Sequence, residues 1–114
     1  MKTLDSANLR ANERRAIEEA ASVLKSDMPV TRVLLFGSRA RGRGAAGSDV
    51  DLLVLTSGPV TPELRRGVSE RLFEVGLEND TVLASVVVSQ EDWSVGLVRQ
   101  MLLHSEVERD GCEV

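Results

Sequence analysis

The 114-residue chain has one cysteine, one tryptophan, two phenylalanines and no tyrosine. A lone Cys112 beside the C-terminus cannot by itself form an internal disulfide or a cysteine-based metal site, so an inert tail residue is expected and redox chemistry is not. With only Phe36, Phe73 and Trp93 as aromatics, the stacking platforms that hold single-stranded nucleic acid are lacking. Long apolar runs are missing as well: stretches such as 82–89 fall far short of the roughly 20 residues that a spanning helix needs. The N-terminus carries Lys2, Asp5, Arg10, Glu13, Arg14 and Arg15 where a secretory signal would be apolar, which predicts a cytoplasmic protein.

What is present describes a folding chain. Hydrophobic residues make up 42% and charged residues 28%, near globular averages, and the length suits one domain over 1–114. The net charge is −4, but it is polarised: residues 1–57 carry 9 basic and 7 acidic groups, residues 58–114 carry 5 and 11. Affinity for nucleic acid comes mainly from neutralising phosphates, so nucleic acid is not the expected partner. A local basic cluster can still hold a small anion, and Arg39, Arg41 and Arg43 form one.

The apolar positions Leu9, Ile17, Ala20, Ala21 and Leu24 follow a helical period and predict a helix near 6–26, capped by Asp5 or Ser6, with Arg10, Glu13, Arg14, Glu18 and Glu19 on its outer side. Pro29 ends it, and the apolar run that closes at Gly37 predicts a buried strand near 32–37. A second strand is expected near 50–55, interrupted only by Asp51. Thr61 and Pro62 supply a helix start, and Leu64, Val68, Leu72 and Val75 give a stripe for a helix near 61–77. A third strand near 81–88 leads through Ser89 and its capping partner Asp92 to a last helix near 92–108. This order predicts an α/β (α+β) fold with a small mixed β-sheet packed with helices. Val33, Leu35, Leu52, Val54, Leu64, Leu72, Val86 and Leu102 are the expected core. Trp93 is expected to anchor it, and His104 has no ligand cluster near it in sequence.

The chemistry is concentrated in Phe36-Gly37-Ser38-Arg39-Ala40-Arg41-Gly42 and Ser48-Asp49-Val50-Asp51. Gly37 ends a buried strand and permits close backbone approach, while Ser38 opens a turn or short helix whose N–H groups and hydroxyl point outward together. Such a turn suits phosphate. Asp49 and Asp51 lie two apart on a strand, so their carboxylates share a face and repel each other unless a cation joins them. Hard oxygen ligands of this sort suit Mg²⁺, which takes one or two carboxylates and completes its shell with waters and substrate phosphates.

Gly37-Ser38 followed by Asp49-Val50-Asp51 resembles the signature of the DNA polymerase beta-like nucleotidyltransferase superfamily. The short Gly-Ser-Arg-Ala-Arg-Gly form resembles in particular the minimal nucleotidyltransferases, the MNT group, which are often paired with helical HEPN-domain proteins in toxin–antitoxin modules. The resemblance implies a polymerase-beta-like fold with helices on one side of the sheet. It implies Mg²⁺ at Asp49 and Asp51, which would be both catalytic and metal-binding, and nucleotide contacts at Gly37, Ser38 and Arg39. It also implies attack on the α-phosphorus of a nucleoside triphosphate, with AMP moved from ATP onto a hydroxyl of a partner protein or small molecule. A HEPN-type protein is the implied partner, with self-association as the competing arrangement. Active members usually bring a third carboxylate from the strand after the next helix, at a position near Ala84 or Ser85, and the 81–88 segment contains no acid. That departure leaves a nucleotide-binding antitoxin, acting by binding its partner, as the alternative.

Overall fold

The computed structural model describes residues 1–44 and 48–114. After a 3-10 turn at Leu4–Ser6, the elements are α1 (Ala11–Asp27), β1 (Val30–Phe36), β2 (Val50–Thr56), α2 (Pro62–Asn79), β3 (Leu83–Ser89), α3 (Gln90–Val95), a 3-10 turn at Leu97–Gln100, α4 (Leu102–Asp110) and β4 (Cys112–Glu113). Among the described residues the strands form one sheet in the order β3-β2-β1-β4. β1 pairs antiparallel with both β2 and β4, whereas β2 and β3 are parallel. A parallel pair needs a crossover, and α2 supplies it.

The strands alternate between two faces. Val33, Leu35, Val50, Leu52, Val54 and Val87 meet Ile17, Ala20, Leu24, Val68 and Leu72 in the main core under α1 and α2. The opposite residues, Leu34, Leu53 and Leu55, pack with Trp93 and Val107 in a smaller core. Helices therefore cover both faces, in place of the one-sided layer the resemblance implies. Trp93 is a core anchor as expected, and its ring lies 4.5 Å from that of buried His104.

The start of α2 follows its local chemistry: the Thr61 hydroxyl accepts from the Leu64 N–H at 3.1 Å, and Pro62 fills the first turn where its missing N–H costs nothing. Ser89 likewise accepts from the Asp92 N–H and starts α3. Other boundaries differ from expectation. α1 begins at Ala11, not near residue 6, because the Asn8 backbone is engaged by Arg39: its N–H donates to the Arg39 carbonyl and its own carbonyl accepts from Arg39 Nε. The last helix is split, since extended backbone at Gly96 ends α3 and shifts the helical phase. Leu102 consequently opens α4 on its exposed side, while His104 and Val107 turn inward. Val86 is also exposed, because β3 is an edge strand. Of the other expected core residues, Leu64 is partly buried and the remainder are buried. Cys112 is fully buried in β4, a two-residue strand too short to show a period, and Arg32 locks that strand through the Glu113 carboxylate.

Candidate active site

Register brings the two halves of the motif together. Phe36 at the end of β1 pairs with Asp51 near the start of β2, so the residue that follows Phe36 turns directly over the Asp51 side chain. That residue is Gly37, with φ +82°, and an added Cβ there would lie 2.7 Å from Asp51 Oδ2. Glycine suits the position, since any side chain there would be strained at this φ and would displace the Asp51 carboxylate.

Beyond Gly37 the chain makes a tight turn. Arg41 N–H donates to the Ser38 carbonyl at 3.2 Å, Gly42 N–H to the Arg39 carbonyl at 3.2 Å, and Arg43 N–H to the Ser38 carbonyl at 2.9 Å. The Ser38 and Arg39 N–H groups meet no acceptor among the described residues. Successive N–H groups left open in this way form an anion-binding nest. Gly44, at φ +88°, packs so closely that a Cβ would lie 2.8 Å from both Ser38 Oγ and Arg39 Cδ.

Asp49 is exposed just before β2, and Asp51 is partly buried within it. Burial first, and then the neighbouring Asp49 charge, push the Asp51 carboxyl above its ordinary value. The pair therefore attracts a cation, and its hard oxygen donors fit Mg²⁺. No group of three or more potential metal-ligating side chains occurs among the described residues. Two carboxylates suffice for an ion that completes its shell with phosphate and water.

On β3 the residue in register with Asp51 is Ala84, while Ser85 pairs with Leu52. Residues paired across a parallel ladder share a face, so Ala84 is the position beside Asp51. Glu91 and Asp92, which follow β3, lie at the end of that strand away from Ala84.

Arg39 departs from its expected role. Its side chain is buried, with Nε on the Asn8 carbonyl at 2.8 Å, Nη1 on both the carbonyl and hydroxyl of Ser48 at 3.1 Å, and Nη2 paired with the Glu13 carboxylate. A guanidinium spent on internal acceptors holds the loop and is not offered to a phosphate. Arg41 and Arg43 are exposed. Glu13 was expected on the outer face of α1, yet it is fully buried. The spacing from Glu13 to Ile17, Ala20 and Leu24 is helical, which places the acid on the apolar stripe and marks it as a residue in need of a partner.

Residues 17–109 match the nucleotidyltransferase domain family. No curated protein matches the chain by sequence. Solved structures share its fold at low identity. A toxin–antitoxin MntA–HpeT mutant has a TM-score of 0.58 and 19% identity, over 85% of this chain and 69% of its own. A toxin–antitoxin with AMP-PNP has a TM-score of 0.57 and 19% identity, over 87% and 69%. A tri-AMPylated Shewanella oneidensis HEPN toxin in complex with MNT antitoxin has a TM-score of 0.54 and 18% identity, over 88% and 69%. With the polymerase-beta-like fold and the Gly37–Asp51 junction in place, the family match settles the assignment: this chain belongs to the nucleotidyltransferase domain family.

Proposed function

We propose that the chain moves AMP from ATP onto a hydroxyl of a partner protein, the hydroxyl oxygen bonding the α-phosphorus and giving up its proton as the α–β phosphoanhydride breaks and pyrophosphate leaves, with Mg²⁺ held by Asp49 and Asp51. The observation that carries this reading is the Asp51 carboxylate seated against Gly37, beside the Ser38 turn, which supports a cation and a phosphate held side by side. Mg²⁺ bound there would neutralise phosphate charge and polarise the α-phosphorus. Gly37 lets the backbone approach, while the Ser38 hydroxyl and the Ser38 and Arg39 N–H groups hold the terminal phosphates. Through that ion the Asp49 and Asp51 side chains would orient the α-phosphate toward the acceptor.

The acceptor is best sought on another chain. Asp49 and the rim of the turn are exposed, so a second protein can reach them. The related structures include an MNT antitoxin bound to an AMPylated HEPN toxin, which supports a HEPN-type partner here. The chain has no tyrosine, so a tyrosine-linked adduct would form in trans. Val95, Leu97, Met101 and Leu102 are all exposed around the break between α3 and α4, an apolar surface of the kind that partners cover.

A second reading, a nucleotide-binding antitoxin that masks its partner with little turnover, is favoured by Ala84 beside Asp51, where no acid is present to activate the attacking hydroxyl. The test is co-expression with a HEPN-type protein encoded beside it, then incubation with Mg²⁺ and labelled ATP, wild type against Asp51→Asn. An AMP-sized mass increase on the partner, lost in Asp51→Asn, supports transfer. A stable complex with no mass increase supports masking, and no complex at several salt concentrations refutes the partner.

A further inference from the structure

We propose that Glu13 and Arg39 form a positioning pair that fixes the Gly37–Ser38 turn relative to Asp49; the inference rests on the nucleotide-binding reading of that turn. Arg39 lies next to Ser38 in sequence and bonds the backbone and side chain of Ser48, which precedes Asp49. One planar guanidinium thus ties the phosphate turn to the carboxylate side of the site. Its own place is fixed from two directions. The Asn8 carbonyl accepts from Arg39 Nε at 2.8 Å, the Asn8 N–H donates to the Arg39 carbonyl at 3.0 Å, and Asn8 Nδ2 donates to the Gly44 carbonyl at 3.1 Å. Glu13, from the first turn of α1, supplies the countercharge from inside the core.

Glu13 shows how strongly the pair is committed. Its Oε1 accepts from Arg39 and from the Arg10 N–H at 2.8 Å, while its buried Oε2 meets no hydrogen-bond donor among the described residues. A carboxylate so placed depends on the buried Arg39 guanidinium, since its other cation, Arg10, stands 3.7 Å away on a half-exposed side chain and a buried charge without a partner is costly. Arginine suits the position better than lysine because its fork reaches Asn8, Ser48 and Glu13 at once from a fixed plane. The pair touches no reacting atom; it acts through Ser38 and Asp49.

The test compares wild type with Arg39→Lys, Arg39→Met and Glu13→Gln by two measurements, at a temperature where circular dichroism shows the variant folded. Hydrogen exchange on the nucleotide-free protein should show the hydrogen-bonded amides of Arg41, Gly42 and Arg43 losing protection in Glu13→Gln and Arg39→Met while those of α2 keep theirs. Calorimetry with Mg-ATP should show affinity falling by about 10- to 100-fold in Arg39→Met, as is typical when a supporting contact behind a metal site is lost, and by less in Arg39→Lys. A purely structural role would lower stability and leave the affinity of folded protein unchanged, so unchanged affinity in a folded variant overturns the positioning role. Unchanged loop protection overturns the brace itself. Glu13→Gln keeps the side-chain shape and carries both measurements where Arg39→Met does not fold. A wild type that binds no Mg-ATP refutes the nucleotide reading instead, and hydrogen exchange still decides the brace.

Discussion

The Asp51 carboxylate occupies the space a side chain at Gly37 would need: Oδ2 stands 2.7 Å from the position of an added Cβ. Gly37→Ala must therefore push the acid aside and also bear an alanine at φ +82°. The strain costs about 1–2 kcal/mol before any clash is counted. The displaced carboxylate should also lose its place relative to the Ser38 turn. Thermal denaturation should show the stability loss, and Mg-ATP titration of the folded variant should show weakened binding.

Asp51→Asn separates function from stability. Burial and the Asp49 charge raise the Asp51 pKa, so the ionised side chain costs the folded protein stability at neutral pH, a cost that disappears as pH falls through the raised value. The amide carries no charge at either pH. Nucleotide-free Asp51→Asn should melt a few degrees above wild type at pH 7, about 0.5 kcal/mol once solvent screening is allowed for, while Mg-dependent ATP binding is lost. Differential scanning calorimetry with and without Mg²⁺ checks both halves.

Glu13 behaves in the opposite sense. Burial raises its carboxyl pKa, but the Arg10 N–H and the hydrogen bond and charge of Arg39 outweigh that, leaving it below the ordinary value. Its contribution is complete above the ordinary glutamate range and is lost as pH falls through the depressed folded value. Removing Arg39 while keeping the acid should cost about 3–5 kcal/mol, whereas Glu13→Leu with Arg39→Met should recover part of it, because no buried charge is left alone. Urea titrations of the single and double variants at pH 7, repeated below pH 4, should show the coupling shrink in acid.

Some residues of the site are marked in the sequence and others are hidden in it. Gly37, Ser38, Asp49 and Asp51 stand out because their chemistry is local: a strand end, a turn, and two acids at strand spacing. β1, β2, α2 and β3 are legible for the same reason, the strands as apolar runs and α2 by its stripe and its Thr61 cap, while Ser89 marks the start of α3. Asn8, Ser48 and the inward course of Arg39 are not local. They depend on an N-terminal segment crossing a loop that lies about thirty residues away in sequence, and no periodicity encodes that. Glu13 lies between the two cases, since its spacing to Ile17 and Ala20 puts it on the buried stripe although its charge suggests the surface. The break at Gly96 is hidden as well, because the apolar positions on either side fit one continuous helix until the phase shifts.

Ala84 provides the last test. It pairs with Asp51 across the β2–β3 ladder and faces the same side of the sheet, at the roughly 5 Å separation of adjacent strands. Ala84→Asp would add a third carboxylate to two that already repel. Like charges directly opposite one another in a sheet destabilise it, so the nucleotide-free variant should lose about 1 kcal/mol. Mg²⁺ should restore that loss and bind more tightly than to wild type, because a further anionic oxygen strengthens a hard-cation site. Thermal melts with and without Mg²⁺ measure the recovery, and a Ca²⁺ control separates site chemistry from general charge screening. A variant destabilised equally with and without Mg²⁺ would show that position 84 does not reach the ion held by Asp49 and Asp51.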